Sequence, residues 1–238
     1  MKATSLSSIA ERIWESATEQ NQQNIRDLLQ GVGGTLVDFG CGDGAITVGI
    51  SAAGGFDRTI GLEIDDEVAS VAAGRGVEVV SADLNGRVPL PDGSAQAIVA
   101  NQIIEHLRDT DSFLEEIKRV LKPGGVVALS TENISSWHNL LAASIGWQPF
   151  SLTNISGLSS GVGNPVALHR GESGTPAFMQ HLRIFAPRGL KELASLHGLE
   201  PMAFRGAGYF PFCGRAADAL SDADPRHSIF MTLLARKR

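Results

Sequence analysis

The sequence predicts an α/β protein, a parallel sheet sandwiched between helices. Three observations carry that expectation. Short apolar runs alternate with helix-patterned stretches from residue 35 to 130. The runs are apolar throughout, as strands buried on both faces must be. Each is bounded by Gly, Asp or Pro. Strands alternating with helices imply parallel pairing through right-handed crossovers. The chain has 238 residues, 43% hydrophobic and 19% charged, which suits one domain with a sizeable core. A net charge of -6 with ordinary apolar content excludes a disordered chain.

Residues 5–30 read as one or two helices. Ser8 and Glu11 are placed to cap the first, which carries Ile9, Ile13 and Trp14; Ile25, Leu28 and Leu29 mark the second. Strands are expected at 35–39, 59–63, 77–82, 97–101 and 126–130. Between the last two, Phe113, Leu114, Ile117, Val120 and Leu121 share one face of an amphipathic helix. A capping box of Ser112 and Glu115 would open that helix, and Lys122-Pro123-Gly124-Gly125 would stop it. Residues 131–180 change character: Ser, Gly, Asn and Pro accumulate from 151 to 175, with Trp137, Trp147, Phe150 and Phe178 interspersed. A loop this long in a compact domain is a lid or binding loop, or else mobile. Pro187 opens a helix carrying Leu190, Leu193, Ala194 and Leu196, and Gly198 closes it. Residues 200–209 and 227–235 supply two final strands, a hairpin with a long connection. The chain thus divides into an N-terminal helical cap (1–34), a core (35–132), a lid segment (133–186) and a C-terminal helix with strands (187–238).

No stretch approaches the roughly 20 apolar residues that cross a bilayer. Glu11 and Arg12 interrupt the one apolar candidate for a signal peptide. Two isolated cysteines, Cys41 and Cys213, suggest neither a disulfide framework nor a zinc site, so no metal is expected and a reducing cytoplasm is the natural compartment. With 26 Asp+Glu against 20 Lys+Arg, an electrostatic grip on nucleic acid is not favoured. A homodimer is left open.

The densest signal is Val37-Asp38-Phe39-Gly40-Cys41-Gly42-Asp43-Gly44, which follows the first strand and precedes a helical stretch. Glycines at such a turn let the backbone approach a ligand and point amides at it. The spacing is Gly-x-Gly-x-Gly, not the Gly-x-Gly-x-x-Gly of dinucleotide folds. Asp38 would repel a pyrophosphate and better suits a cationic group such as an α-ammonium, directly or through water. Glu63 ends the second strand, where a carboxylate accepts hydrogen bonds from both hydroxyls of a ribose. Asp83 ends the third, where it can accept from an adenine amino group while the Leu84 amide meets the neighbouring ring nitrogen. Three carboxylates at the carboxyl ends of successive strands converge on one crevice.

Taken together, Asp38–Gly44, Gly61-Leu62-Glu63-Ile64-Asp65, Ala82-Asp83, Glu105-His106-Leu107 and Leu121-Lys122-Pro123-Gly124-Gly125 resemble the successive motifs of class I S-adenosylmethionine-dependent methyltransferases. The likeness is closest to the small-molecule branch that includes ubiquinone- and menaquinone-pathway enzymes. It covers residues 35 to about 132; beyond, only His181-Leu182-Arg183-Ile184-Phe185 and His197-Gly198-Leu199 resemble the family's tail. The resemblance implies a Rossmann-like seven-stranded sheet in order 3-2-1-4-5-7-6 with strand seven antiparallel. It also implies S-adenosyl-L-methionine as cofactor, its methionine part on Gly40, Cys41 and Gly42, its ribose on Glu63 beside Ile64, and its adenine on Asp83 and Leu84.

A sulfonium methyl is already activated, so such a site must align nucleophile, carbon and sulfur and exclude water. Asn101 and Gln102, after the fourth strand, stand where donor and acceptor would meet and could hold the donor's ammonium. His181 is the first candidate for proton transfer at a small-molecule acceptor, with His106 second. Trp137, His138 and Arg183 are candidates for acceptor contact, and Trp14 for folding over the cofactor or packing in the core. His169, His197 and His227 read as surface or structural. Two other classes compete with a methyltransferase. One is a non-catalytic nucleoside-binding module, which would need no closable acceptor pocket. The other is a nicotinamide-dependent oxidoreductase, which fits Glu63 but neither Asp38 nor the glycine spacing.

Overall fold

The computed structural model describes residues 6–168, 170–172, 176 and 179–238. Its strands are β1 (Thr35–Phe39), β2 (Arg58–Glu63), β3 (Glu78–Ser81), β4 (Ala95–Asn101), β5 (Leu121–Glu132), β6 (Leu199–Ala207) and β7 (Phe230–Lys237). The helices are α1 (Leu6–Leu28), α2 (Ala45–Gly54), α3 (Asp66–Gly74), α4 (Thr110–Val120), α5 (Trp137–Ser144), α6 (Pro187–Leu196) and α7 (Arg215–Ala223). The sheet order is β3-β2-β1-β4-β5-β7-β6. The first five strands pair in parallel, whereas β7 runs antiparallel to both β5 and β6. The connection explains the exception: residues 208–229 bring the chain back in at the end where β6 finishes, as in a hairpin, whereas the links between the parallel strands cross over to the opposite end.

Successive side chains of β1 point to opposite faces and build two cores. Val37 and Phe39 join Leu62, Ile98 and Leu129 under α4 (Phe113, Leu114, Ile117) and α6 (Leu190, Ala194). Leu36 joins Ala97, Val99 and Ala128 under Ile25 of α1, Leu29 just past its end, and α2 (Ile50). Each fully buried Leu, Ile or Phe contributes about 1.5–3 kcal/mol, so both faces drive the layering.

Three local expectations change. Residues 5–30 form one helix, not two, and it is already helical at Leu6, so Ser8 lies inside it rather than at its cap. Asp109, not Ser112 with Glu115, caps α4: its extended backbone lets Oδ1 accept from the Asp111 and Ser112 amides at 3.1 Å each. Ser112 Oγ donates back to Asp109, and Glu115 is turned to His197 instead. The long connection before β7 also contains α7, unanticipated because its apolar residues are alanines with one leucine. His169 and Phe178 lie outside the described residues.

Gly61, inside β2, is where the sheet leaves no room. A Cβ there would lie 2.4 Å from Cys41 Sγ and 2.9 Å from Val77 Cγ1. Gly61→Ala is expected to destabilise the chain by about 1–3 kcal/mol through overpacking, read as a lower urea midpoint. Because Cys41 must yield, ligand affinity at the glycine loop should fall with it.

Candidate functional site

The strand order reverses between β1 and β4, and a crevice at such a switch point is where open α/β sheets bind ligands. The loop after β1 is bent back against β2: the Gly40 and Cys41 amides both donate to the Leu62 carbonyl, at 2.9 and 3.0 Å. Gly40 has φ 83°, and a Cβ there would meet Ile103 Cδ1 at 2.2 Å, so only glycine fits. Glu63 ties the loop down. Its Oε2 accepts from the Gly42 amide at 3.0 Å and its Oε1 from the Ile64 and Asp65 amides at 2.9 and 3.1 Å, while the Ile64 side chain is exposed.

Asp38 is buried beneath the loop and its Oδ2 accepts from Thr47 Oγ1 at 2.6 Å. Burial pushes its carboxyl up to about 6; Thr47 opposes the shift and the nearby Glu63 charge adds to it. Burial, then Asp38 and Glu63, push the Cys41 thiol up to about 12, so it stays protonated and unreactive. Asp83 lies two residues beyond β3; its Oδ1 accepts from the Asn85 amide and side chain, which lower its acidity range, and the half-buried Leu84 packs beside it. Asn101 Oδ1 accepts from Asn21 at 2.8 Å, and Asn21 also takes Ser130 and Thr232 hydroxyls, which fastens α1 over the sheet. Gln102 is the one non-glycine at positive φ (58°) among the described residues. Its amide donates to the Ser130 carbonyl. Such a backbone costs on the order of 1–3 kcal/mol and concentrates at functional sites.

One strand further, a cavity of about 500 Å³ opens under α1 and the 133–186 segment, its walls including Trp14, Glu132, His138, Phe150, His181 and Phe210. Among the described residues, Glu132 Oε2, His138 Nδ1 and Asn154 Oδ1 are buried on this wall without a hydrogen-bond partner. Burial pushes His138 down to about 4, so it is neutral at pH 7, and holds Glu132 above the usual carboxylate range against the influence of His181. His181 Nδ1 lies 2.6 Å from the Ser151 carbonyl, and its ring meets His106 edge-on at 4.7 Å. Burial and the neighbouring His181 push His106 down to about 4. Glu105, wholly buried, is pushed up to about 8 by burial; its Oε2 accepts from Thr131 Oγ1 at 2.9 Å.

Two expected acceptor contacts stand elsewhere. Trp137 is partly exposed, stacks on His227 at 4.4 Å and donates to Tyr209 Oη, outside the cavity wall. Arg183 spends its guanidinium on Thr110 Oγ1 and the Arg108 carbonyl, bracing the start of α4. Trp14 lines the cavity and also packs edge-on against Phe230. His197 bridges Asp111 and Glu115. Glu132 was missed in the sequence, although the rule that found Glu63, a carboxylate ending a buried strand, applies to it equally.

Residues 37–129 match the family model of a methyltransferase domain. That stretch is a methyltransferase domain, carried on the sheet order of the class I S-adenosylmethionine-dependent fold. A probable S-adenosylmethionine-dependent methyltransferase of Mycolicibacterium smegmatis is 37% identical over 103 residues, covering 42% of this chain but 39% of that one. The ubiquinone biosynthesis O-methyltransferase of Ralstonia nicotianae is 28% identical over 192 residues, 78% of this chain and 71% of its own. Among solved structures, a possible histamine N-methyltransferase from Thermotoga maritima shares the fold with TM-score 0.62 and 19% identity, covering 95% and 91% of the two chains. Geranyl diphosphate C-methyltransferase from Streptomyces coelicolor does so with TM-score 0.59 and 17% identity, covering 93% and 81%.

S-adenosylmethionine is the cofactor of this family, and the methyltransferase domain has acceptor groups of the right chemistry. A buried carboxylate with a like charge nearby, as Asp38 is, gains from a cation; Glu63 and Asp83 offer acceptor oxygens to hydroxyls and an amine.

Proposed function

We propose that this chain transfers a methyl group from S-adenosylmethionine to an oxygen, nitrogen or carbon of a small molecule held in the 500 Å³ cavity. The observation that carries the reading is the set of buried atoms without partners, Glu132 Oε2, His138 Nδ1 and Asn154 Oδ1, on a largely apolar wall beside the switch point. Buried polar atoms are normally paired, and an acceptor bearing O–H or N–H groups on an apolar body would pair them. No lysine or arginine lines this cavity among the described residues, which supports a neutral or cationic small molecule over a nucleic acid.

The bound cofactor supplies an electrophilic methyl on sulfur; the chain's own residues do the rest. Asp38 receives the ammonium, Gly40, Cys41 and Gly42 lie along the methionine part, and Asn101 with Gln102 borders the meeting point. Glu63 beside Ile64 takes the ribose, and Asp83 with Leu84 the adenine. The 133–186 segment, with His181 bound to Ser151, acts as the lid that excludes water. Alignment of this kind supplies roughly 7–11 kcal/mol of a barrier. His181, on the cavity wall, takes the acceptor's proton, with His106 set edge-on to its ring. Both cysteines are free, which supports a reducing, cytoplasmic setting. No helix among the described residues is long and apolar enough to cross a membrane.

Calorimetry with S-adenosylhomocysteine, then methyl transfer to a metabolite panel, tests the proposal; absence of micromolar binding overturns it. His181→Ala is expected to lower turnover on the order of 10²-fold while leaving cofactor affinity within about twofold. Loss of affinity with turnover intact would place His181 in the wrong site.

A further inference from the structure

Glu105, His106 and His181 bring one carboxylate oxygen and two imidazole nitrogens within 4.8 Å of one another. Each is oriented from behind. His106 Nδ1 faces the Gln180 carbonyl at 3.3 Å and His181 Nδ1 the Ser151 carbonyl at 2.6 Å. An N–H on each Nδ1 leaves Nε2 of both rings as a free lone pair. Thr131 Oγ1 donates to Glu105 Oε2, while Glu105 Oε1 is buried without a partner among the described residues. Imidazoles whose second nitrogen donates to a backbone carbonyl, beside a carboxylate itself held by a hydroxyl, are how proteins present metal ligands.

We propose that Glu105, His106 and His181 bind a divalent first-row transition ion of the Zn²⁺, Co²⁺ or Fe²⁺ class. Two nitrogens and one carboxylate exclude the all-oxygen preference of Ca²⁺ and Mg²⁺. The ligand atoms must draw together, since metal–ligand bonds of about 2.0–2.2 Å place adjacent donors nearer than the observed spread. Segment 179–182 is irregular chain, held to the short helical turn Ile104–His106 by the Leu182 amide on the Glu105 carbonyl and by the His106 ring on the Gln180 carbonyl, and side-chain rotation there can supply that movement. Three protein donors leave coordination positions open, and His181 belongs to the cavity wall as well as to the cluster. An acceptor oxygen or nitrogen is the natural occupant of an open position; His181 would then meet it through the ion in place of taking its proton directly. That last placement rests on the methyltransfer reading; the ion site itself does not.

The test is titration of the metal-free full chain with Co²⁺, followed by visible absorption and calorimetry. One equivalent per chain, with the ligand-field bands of nitrogen and oxygen ligation, is expected. Glu105→Gln and His181→Gln should each weaken binding at least about tenfold, and Thr131→Val, which touches no ion, by about 10-fold through the carboxylate it orients. S-adenosylhomocysteine affinity within about twofold of the parent chain verifies that each variant is folded, and does not depend on the ion. No uptake by the parent chain, or uptake unchanged in both ligand variants, overturns the site. Failure to bind S-adenosylhomocysteine with Co²⁺ uptake intact would instead remove the methyltransfer reading and leave the ion site standing.

Discussion

Asp38→Asn is expected to stabilise the unliganded chain at pH 7.5 and, in the same protein, to weaken S-adenosylmethionine binding. The folded-state carboxyl sits at about 6, above its unfolded value of 3.8. The folded chain therefore holds a proton that the unfolded chain releases between about pH 4 and 6. Stability is fully present below that window and is lost as pH rises through it, by about 3 kcal/mol at 1.36 kcal/mol per unit. Asparagine keeps an oxygen for Thr47 and carries no charge, so the loss should be absent from the variant. Chemical denaturation at pH 4.5 and 7.5 reads the difference. Cofactor affinity should behave oppositely. A cationic ammonium selects the ionised carboxylate, so affinity falls about tenfold per pH unit below 6 in the parent chain. In the variant it should be weak and flat with pH over the same range. If both proteins show one pH profile, Asp38 does not receive the ammonium.

Glu63→Ala should carry the largest loss of cofactor affinity. This carboxylate holds the Gly42, Ile64 and Asp65 amides, so its removal frees the glycine loop as well as deleting the proposed ribose contact. Hydrogen bonds to a charged group are worth about 1.5–3 kcal/mol each. A total of roughly 3–4 kcal/mol, or several hundred-fold in S-adenosylhomocysteine affinity, is expected. Glu63→Gln should recover part of the loss, because the amide oxygen still accepts from one side of the loop. A ligand lacking the 2′-hydroxyl should be discriminated by the parent chain and not by the alanine variant. Equal discrimination in both would move the ribose elsewhere.

How much of this was legible before the structure depended on distance along the chain. Apolar runs bounded by glycine and proline marked β1 to β5 within a residue or two at most ends, because burial on both faces leaves a continuous signal. The glycine loop, Glu63 and Asp83 were legible for a related reason: a strand-to-helix turn needs its glycines next to the strand that feeds it. Misread elements were those whose partners are remote or compete. Asp109, not Ser112, has the extended backbone of a cap, and the apolar residues of α7 are alanines with one leucine, too small to stand out.

The sequence by itself determined the layered α/β core and the acidic, glycine-lined crevice, since both are written in local period and turn chemistry. Only the tertiary structure decided the acceptor side. Glu132 is at the end of β5, His138 on α5 and Asn154 and His181 in the long segment, and no periodicity links them. It likewise turned Trp137 and Arg183 to other partners and set His106 and His181, 75 positions apart, edge-on to one another. Contacts between distant segments form when the sheet brings their loops to one end, and the free energy that holds them is burial summed over the whole core.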